Sequence, residues 1–315
     1  MKERILIFGN GQIGNFYLKH FRKESLSVKI AKANITDVKQ IERAIGRFEP
    51  TIIINTAAKT NLEWCAKHKL EAFSVNVLGA DNIAQICDRS NIYFIHFSSG
   101  CIFQSKNKND AKKEDDAPNP AAYYAWTKVW SEQLIQFEKS KDFKYLILRP
   151  RQPVSAQLNY KNILVKFLTF TRFIDTPNTG TVIEDLIQWT DLFIKKKPIG
   201  ILHVANEGFS TPYKIALLLK KYILPSLKIK KISKKELDQL TPIKRVDTVL
   251  SVDKLRELGI EPKPYRTRLK EIIIELGQNI KKADREEIRK QMNKTLAQSR
   301  TRTIVNSCWK DLLKV

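Results

Sequence analysis

Residues 4–14 read R-I-L-I-F-G-N-G-Q-I-G, and this stretch decides the fold. The apolar run Arg4–Phe8 is typical of a buried parallel strand. Glycines at positions 9, 11 and 14 follow with G-x-G-x-x-G spacing, and an amphipathic segment comes next, at residues 15–23. Glycines allow a tight turn and let the backbone approach a pyrophosphate, which then lies on the helix N-terminus. The stretch therefore predicts a strand, a turn and a helix that bind a dinucleotide. A strand, turn and helix without a ligand is the alternative.

The first half of the chain continues to alternate apolar runs with amphipathic segments. The predicted strands are Ser27–Ala33, Thr51–Ile54, Ile92–Phe97 and Tyr145–Leu148, and the predicted helices are Thr36–Phe48, Leu70–Ser90 and Tyr123–Glu138. This order predicts an α/β fold with a doubly wound parallel sheet, the nucleotide-binding Rossmann fold. Such sheets bind ligands at the carboxyl ends of their strands.

The pattern is looser in the second half. Segments 159–170, 181–193 and 212–222 are predicted helices, and 200–205 is a predicted strand. We expect a Rossmann domain at residues 1–150, with a core that extends to about residue 205, and a substrate-binding part at 151–276. A basic, polar C-terminal tail is expected at 277–315, partly helical at residues 283–297.

Composition indicates an ordinary soluble globular protein, because 43% of the 315 residues are hydrophobic and 28% are charged. There is no run of about 18 apolar residues, so no membrane-spanning helix is expected. Met-Lys-Glu-Arg leads directly into a strand, so no signal peptide is expected. The four cysteines lack C-x-x-C spacing, which predicts neither a metal site nor a disulfide framework, and favours the reducing cytoplasm.

The formal net charge is +23. The lysines are spread along the whole chain, and no base-stacking motif accompanies them. This favours a solvated surface that attracts anionic nucleotides, with neither nucleic acid nor a membrane as partner. A basic scaffold that binds nucleic acid is the alternative, and a homodimer is left open.

Residues 97–128 carry the candidate chemistry. They read F-S-S-G-C-I-F at 97–103 and Y-Y-A-W-T-K at 123–128. Tyr124 and Lys128 are four residues apart and so share one helix face. An ammonium beside a phenol lowers the pKa of the tyrosine, which then exchanges a proton with a carbonyl or hydroxyl. Ser99, at the end of the preceding strand, is predicted to hydrogen-bond the same oxygen.

The end of the second strand bears on the choice of cofactor. An acidic residue that would bind the adenosine ribose is absent there, and Lys29 and Lys32 lie near the strand end. A cation at this position suits a 2′-phosphate, which favours NADPH, with NADH as the alternative. Asn55, Ala57 and Ala58 follow the third strand, and small residues there let a cofactor lie against the backbone.

Several motifs in order resemble the extended short-chain dehydrogenase/reductase family. They are I-F-G-N-G-Q-I-G, N-T-A-A-K-T-N-L-E-W-C, N-V-L-G, S-S-G-C-I-F, Y-A-W-T-K, L-R-P-R-Q-P-V and V-D-T-V-L-S-V-D-K-L-R-E-L-G-I. Within that family the chain is most similar, over about residues 4–275, to dTDP-4-dehydrorhamnose reductases and to bifunctional nucleotide-4-keto-6-deoxysugar 3,5-epimerase/4-reductases. The resemblance implies reduction of a UDP- or dTDP-linked ketosugar in rhamnose synthesis.

The resemblance also implies residue roles. NADPH gives a hydride to C4, Tyr124 protonates the oxygen, Lys128 lowers the tyrosine pKa and holds the nicotinamide ribose, and Ser99 orients the carbonyl. The remaining cofactor contacts that it implies are Gly9, Asn10, Gly11, Gln12, Ile13, Gly14, Asn34, Ile35, Asn55, Ala57, Ala58, Lys59 and Asn76.

Two positions depart from the family pattern. The family usually spaces its glycines G-x-x-G-x-x-G, so the turn here is one residue shorter. Asn34 stands where the family often has the Asp of an Asp-Ile pair that meets the adenine. The amide oxygen of Asn34 can still accept a hydrogen bond from the adenine amino group.

Cys101 resembles the cysteine that acts as acid/base in family members that also epimerise the sugar, two residues after the triad Ser or Thr. Lys166 resembles the second acid/base, on the opposite face of the sugar ring. Protons next to a C4 ketone are acidic, so two such groups can invert C3 and C5. The alternatives are a small buried cysteine at a strand end and a solvated helix lysine.

Arg149, Arg151 and Arg245 are candidate substrate contacts, since guanidinium groups bind diphosphates and hydroxyls. A structural role for each arginine is the alternative. For the whole chain, the alternatives are a reductase fed by a separate epimerase and a non-catalytic, reductase-like regulatory subunit.

Overall fold

The structure is a computed structural model that describes residues 3–137, 139–298 and 307–314. Its strands are β1 (Arg4–Phe8), β2 (Ser27–Ile30), β3 (Ile52–Asn55), β4 (Tyr93–Phe97), β5 (Ala111–Lys112), β6 (Tyr145–Arg149), β7 (Pro153–Val154), β8 (Arg172–Ile174), β9 (Thr181–Val182), β10 (Gly200–His203), β11 (Lys230–Ile232) and β12 (Val249–Leu250).

Helices connect most of these strands. They are α1 (Gln12–Lys23), α2 (Val38–Phe48), α3 (Leu62–Lys67), α4 (Lys69–Phe73), α5 (Gly79–Arg89), α6 (Tyr123–Phe137), α7 (Ile163–Phe167), α8 (Ile183–Lys196), α9 (Pro212–Tyr222), α10 (Lys234–Leu240), α11 (Asp253–Glu257), α12 (Tyr265–Lys282) and α13 (Arg285–Gln298). A π-helical turn, Ser74–Leu78, joins α4 to α5, and short 3₁₀ helices lie at Gly100–Ile102 and Cys308–Leu313. No described helix is long and apolar enough to cross a membrane.

The chain divides into two compact units, each built from separate stretches of sequence. Unit 1 comprises Met1–Gln104, Lys113–Pro150 and Asp185–Val204, and unit 2 comprises Ser105–Lys112, Arg151–Glu184 and Ala205–Val315. The predicted division at residues 150 and 276 stays a prediction.

Unit 1 contains a six-stranded parallel sheet with the order β10-β6-β4-β3-β1-β2. The strands β3 and β4 are buried along their whole length, which explains their nearly uninterrupted apolar sequences. From β1 the chain adds β2 on one side and then β3, β4, β6 and β10 on the other, so the strand order reverses between β1 and β3. Sheets of this kind bind ligands at the point where the strand order reverses. The predicted α/β fold with a parallel sheet is confirmed.

Several elements differ from the predicted ones. Val38 begins α2 because Asp37 caps it, accepting from the Gln40 backbone N–H. Helix α3 was not predicted. The helix predicted at 159–170 is reduced to α7. Thr181 and Val182, predicted as helical, form β9, because these β-branched residues pair with Pro153 and Val154 of β7. Glu138, the predicted last residue of α6, lies outside the described residues.

Unit 2 is built around a mainly helical core that includes the C-terminal residues. Helix α12 crosses Gly277, where the basic tail was expected to begin, and α13 starts two residues after the predicted Ala283. Ile288 and Met292 of α13 are buried in this core, together with Trp309 and Leu312. These residues are therefore part of the packed unit.

Candidate active site

The glycine turn after β1 is pressed against the segment that follows β3. Gly9 has φ +107°, and a Cβ there would lie 2.6 Å from the Ala57 nitrogen. A Cβ at Gly14 would overlap the Gly9 carbonyl oxygen. The Thr56 hydroxyl donates to the carbonyl oxygens of Phe8 (3.1 Å) and Gly9 (3.2 Å). Two of the three predicted glycines are thus required by close packing within the protein.

Gly11 has a different environment. It is the N-cap of α1, and a Cβ built on it would have no atom of the described protein within 4 Å. The first turn of α1 contains no acidic residue, and Asn10 is tied to it by the Asn15 amide, which donates to its Oδ1 at 2.8 Å. Backbone N–H groups and the helix dipole at this end favour an anion, so the turn fits a pyrophosphate despite its shorter spacing.

Asn76 fixes the loop after β3. Its amide oxygen accepts from the Lys59 N–H (2.7 Å), and its Nδ2 donates to the Lys59 carbonyl (3.0 Å) and to the Thr127 hydroxyl (3.1 Å). The residue is 1% exposed. Asn76 therefore positions the loop of Ala57, Ala58 and Lys59, while its predicted contact with the cofactor stays a prediction.

Asn34 and Ile35 lie beyond the end of β2. The Asn34 side-chain oxygen accepts from the Thr36 N–H (3.2 Å) and hydroxyl (3.0 Å), which shapes the turn into α2. Ile35 is buried, and a Cβ at Gly79 would lie 2.7 Å from its side chain. Asn34 itself is exposed, so its amide can still face an adenine, as predicted.

Ser99, Tyr124 and Lys128 come together at the carboxyl end of β4. The Ser99 hydroxyl caps the 3₁₀ turn by accepting from the Cys101 N–H (3.2 Å), and it hydrogen-bonds the Tyr124 phenol. Lys128 is one turn further along α6, 2% exposed, and its Nζ donates to the Phe97 carbonyl at 2.8 Å. The Ser, Tyr and Lys predicted from separate motifs therefore form one group.

The electrostatics of this group differ from those expected. Desolvation raises the pKa of Tyr124 well above its ordinary value, Cys101 and Cys65 act in the same direction, and the hydrogen bond with Ser99 opposes them. Burial lowers the pKa of Lys128 to about 8, while Cys101, Glu132 and Cys65 oppose this shift. The net shift of the Tyr124 pKa is opposite to the one predicted from the Tyr–Lys spacing, because desolvation outweighs the hydrogen bond with Ser99. A neutral phenol at this position can donate a proton.

Two cysteines belong to the same region. Cys101 is half-buried in the 3₁₀ turn and influences the pKa of both Tyr124 and Lys128. Cys65, which sequence reasoning missed as part of the site, is fully buried on α3, and its thiol donates to the Lys59 carbonyl at 3.3 Å. Burial raises the pKa of Cys65 to about 11, so its thiol is neutral. The half-buried Cys101 is the better candidate for acid/base chemistry.

Arg149 is 3% exposed and its guanidinium is bound inside unit 1, while its predicted contact with substrate stays a prediction. Its Nε and Nη2 donate to the Glu132 carboxylate at 2.9 and 2.6 Å, and its Nη1 donates to the Glu114 carbonyl at 2.8 Å. The Ser98 hydroxyl donates to the same carboxylate. Glu132 was missed from sequence, although Tyr124, Lys128 and Glu132 repeat at intervals of four along α6.

The other two arginines belong to unit 2. Arg151 is buried, and its Nη2 donates to the Asn178 side chain (2.5 Å) and the Val246 carbonyl (2.6 Å), while its predicted contact with substrate stays a prediction. Arg245 is half-buried and lies near Lys166, whose pKa is lowered first by burial and then by the charges of Arg245 and Lys161. Unit 2 thus holds a half-buried lysine on α7 that releases its proton more readily than an exposed one.

Within the described residues, no group of three His, Cys, Asp or Glu side chains is arranged to hold a metal ion.

Comparisons with known proteins agree with this architecture. A family model described as the RmlD substrate binding domain matches residues 2–278. The chain is 28% identical over 265 residues to the trifunctional UDP-glucose 4,6-dehydratase/UDP-4-keto-6-deoxy-D-glucose 3,5-epimerase/UDP-4-keto-L-rhamnose-reductase RHM1 of Arabidopsis thaliana. That match takes in 81% of this chain, and this chain spans 39% of the length of RHM1.

A second Arabidopsis thaliana relative is the bifunctional dTDP-4-dehydrorhamnose 3,5-epimerase/dTDP-4-dehydrorhamnose reductase. It is 27% identical over 263 residues, which cover 80% of this chain and 86% of the relative. Among solved structures, the dTDP-4-dehydrorhamnose reductase of Bacillus anthracis in complex with NADP superposes with a TM-score of 0.78 at 22% identity. The superposition covers 87% of this chain and 100% of the bacterial one.

Proposed function

This chain belongs to the RmlD substrate binding domain family, and from that premise we propose that it reduces the C4 ketone of a nucleotide-activated 4-keto-6-deoxyhexose with NADPH. The observation that carries the proposal is the Ser99–Tyr124–Lys128 group at the carboxyl end of β4, in the same unit as the glycine turn. The names of the two Arabidopsis relatives support a UDP- or dTDP-linked sugar of the rhamnose pathway.

The residues for the cofactor fit NADPH. The open space at Gly11 and the N-terminus of α1 suit the pyrophosphate, and Lys29 and Lys32 suit the 2′-phosphate. The small side chains of Ala57 and Ala58 let the cofactor lie against the backbone of their loop. Asn76 holds this loop in place through its hydrogen bonds with the Lys59 backbone. When bound, NADPH supplies a hydride for C4 of the sugar.

Tyr124 and Ser99 act on the ketone oxygen. The raised pKa keeps Tyr124 protonated at neutral pH, so the phenol donates a hydrogen bond and then its proton to the C4 oxygen. Ser99, hydrogen-bonded to that phenol, orients the carbonyl and stabilises the charge that develops on it. The Lys128 ammonium beside them stabilises the phenolate left behind and is available to the nicotinamide ribose.

The proposed activity includes 3,5-epimerisation before reduction. Protons on C3 and C5 flank the ketone, and removing one gives an enolate that can be reprotonated on the other face. We assign one acid/base role to Cys101, which is half-buried beside Tyr124, and the second to Lys166, whose pKa is lowered by burial. Both Arabidopsis relatives carry the epimerase activity in their names.

The test is NADPH oxidation with UDP- or dTDP-4-keto-6-deoxyglucose, without added epimerase, followed by NMR of the sugar product. We expect oxidation and a rhamnosyl product. Tyr124→Phe should lower kcat by about 10²- to 10⁴-fold, the usual contribution of a positioned acid. Tyr123→Phe is the matched control, because the Tyr123 hydroxyl donates to the Lys69 carbonyl, away from the group.

Cys101→Ala separates the two activities. We expect it to abolish turnover of the unepimerised ketosugar and to spare the epimerised one. Equal loss on both substrates would contradict the epimerase role of Cys101. If oxidation requires an added epimerase already in the unaltered protein, the chain is a reductase alone. If it oxidises NADPH with neither sugar, the reductase proposal fails.

A further inference from the structure

The described residues beyond the family match are folded into unit 2. The match ends at residue 278, and the whole Bacillus anthracis reductase superposes on 87% of this chain. Past that point lie the end of α12, the whole of α13 and the 3₁₀ helix Cys308–Leu313. The 3₁₀ helix packs against α13, and both bury apolar side chains in the unit-2 core. We call the described residues 279–298 and 307–314 the brace.

The brace contacts one segment of unit 2 in particular. Helix α13 packs against α7, and the Oε1 of buried Gln291 accepts from the Tyr160 backbone N–H at 2.9 Å. Gln291 is itself oriented by Glu287, whose carboxylate accepts from the Gln291 Nε2 at 2.6 Å. The Lys294 ammonium lies 5.5 Å from the centre of the Tyr160 ring. The amide of Asn279 donates to the Ala156 carbonyl at 2.8 Å, which gives a second attachment.

The braced segment, residues 155–167, has little regular structure of its own. Its helix, α7, has five residues, too few to be stable alone. Asn162 holds the segment from inside, because its oxygen caps α7 at Leu164 and its Nδ2 donates to the Ser155 carbonyl at 2.7 Å. From outside, the segment is attached by Gln291, Asn279 and the apolar residues of the brace. Glu184, whose carboxylate accepts from the Ala156 N–H at 2.9 Å, and the packing of α7 against α9 attach it as well.

This segment carries Lys166. An acid/base group must be held within a fraction of an ångström of its productive position, and its backbone must therefore be fixed. We propose that the brace fixes residues 155–167 and so positions Lys166 for the nucleotide sugar, with Gln291 as the main positioning residue. The second half of this proposal rests on the proposed function.

The test is amide hydrogen exchange on the full chain. Gln291→Leu leaves the Tyr160 N–H without its acceptor, so we expect exchange in residues 156–167 to accelerate roughly tenfold, with the unit-1 strands unchanged. Gln278→Leu makes the same substitution at an exposed glutamine of α12 and should change nothing. The double variant Gln291→Glu with Glu287→Gln keeps an oxygen at position 291 that accepts from the Tyr160 N–H. The amide at position 287 then donates to the carboxylate at position 291, so slow exchange should be restored.

Unchanged exchange in residues 156–167, or equal acceleration throughout the chain, would overturn the brace. The second readout is kinetic: Gln291→Leu should lower kcat for the unepimerised ketosugar about tenfold and leave turnover of the epimerised one and KM for NADPH unchanged. Local acceleration without that loss of kcat would overturn the positioning of Lys166. If the unaltered chain turns over no nucleotide sugar, the proposed function fails, while the exchange result still decides the brace.

Discussion

Lys128 lies on the inner face of α6, and its surroundings set its charge. Burial lowers the pKa of Lys128 to about 8, against the opposing effect of Cys101 from the turn after β4, Glu132 from α6 and Cys65 from α3. Buried His96 of β4 faces it as well, and its own pKa is held well below the ordinary value by burial and by Lys128. His96 is therefore neutral, and Lys128 changes charge near pH 8.

The pH dependence of the reaction should show the loss of charge on Lys128. Because the pKa of Lys128 is lowered, the ammonium is present below about pH 8 and lost above it. If the ammonium stabilises the Tyr124 phenolate, kcat/KM for the ketosugar should fall as pH rises through about 8. Lys128→Arg stays charged throughout, since the pKa of arginine exceeds about 12, and should remove this fall even at reduced activity. A flat profile to about pH 10 in the unaltered protein would contradict the role.

Single residues differ in how far their sequence context reveals their role. The shared helix face of Tyr124 and Lys128 could be predicted, because spacing by four residues alone sets it. Arg149 could not, because its position at a strand end does not tell which groups its guanidinium meets. That depends on Glu132 and Glu114, which lie 17 and 35 residues away in sequence and contact it only once β6 and α6 pack together.

Helix α6 places the proposed catalytic residues Tyr124 and Lys128 on the same face as Glu132, which has a structural role. The carboxylate of Glu132 joins the helix to β6 through Arg149 and to the end of β4 through Ser98. Both members of the ion pair are about 3% exposed. Such a pair is costly to break, because the remaining charge stays buried without its partner.

Replacing Glu132 should therefore have two measurable effects. Glu132→Gln should lower the free energy of unfolding by about 3–5 kcal/mol in urea titrations at pH 7, the usual result of breaking a buried pair. It should also move the fall in activity to a pH below about 8, because Glu132 raises the pKa of Lys128. Glu71→Gln, at an exposed glutamate, is the control and should stay within about 0.5 kcal/mol. Equal stability of the two variants would contradict the structural role of Glu132.

The glycine turn gives a second prediction at this scale. Gly9→Ala adds a Cβ in a left-handed conformation, 2.6 Å from the Ala57 nitrogen, so β1 and the loop after β3 must separate. We expect at least a tenfold loss of NADPH affinity by fluorescence titration, which corresponds to about 1.4 kcal/mol. Gly46→Ala is the matched control, because the exposed Gly46 lies within α2 and its Cβ would meet no described atom within 4 Å. It should stabilise the protein by about 0.5–1 kcal/mol and leave NADPH binding unchanged.

Elements with an uninterrupted pattern were predictable, and elements set by tertiary packing were not. The bounds of β1 and α9 agree with their predictions, because apolar runs and caps define them. The helix predicted at 159–170 is mostly irregular, because Asn162 uses its side chain to shape the loop before α7. The expected basic tail is also set by tertiary packing. Its many charged residues gave no sign of a buried face, yet Ile288 and Met292, four residues apart, share the inner face of α13.

For the whole molecule, the net charge of +23 has a functional consequence. A basic surface attracts anionic nucleotides over distances comparable to the Debye length, which is about 10 Å at 0.1 M salt. We expect kcat/KM for NADPH to fall several-fold between about 0.05 and 0.5 M NaCl, with a smaller change in kcat. Sucrose at matched osmolality should have no such effect. Salt-independent kcat/KM would mean that the lysines do not contribute to cofactor capture.

The sheet of unit 1 has a consequence for synthesis of the protein on the ribosome. Strand β6 ends at Arg149, yet its neighbour β10 begins only at Gly200, after residues 151–184 of unit 2 have been made. At about 5–20 residues per second, β6 waits several seconds or more for the strand that covers its outer edge. An uncovered strand edge is open to pairing with another chain. The nascent chain is therefore open to aggregation through this edge while these fifty residues are being added.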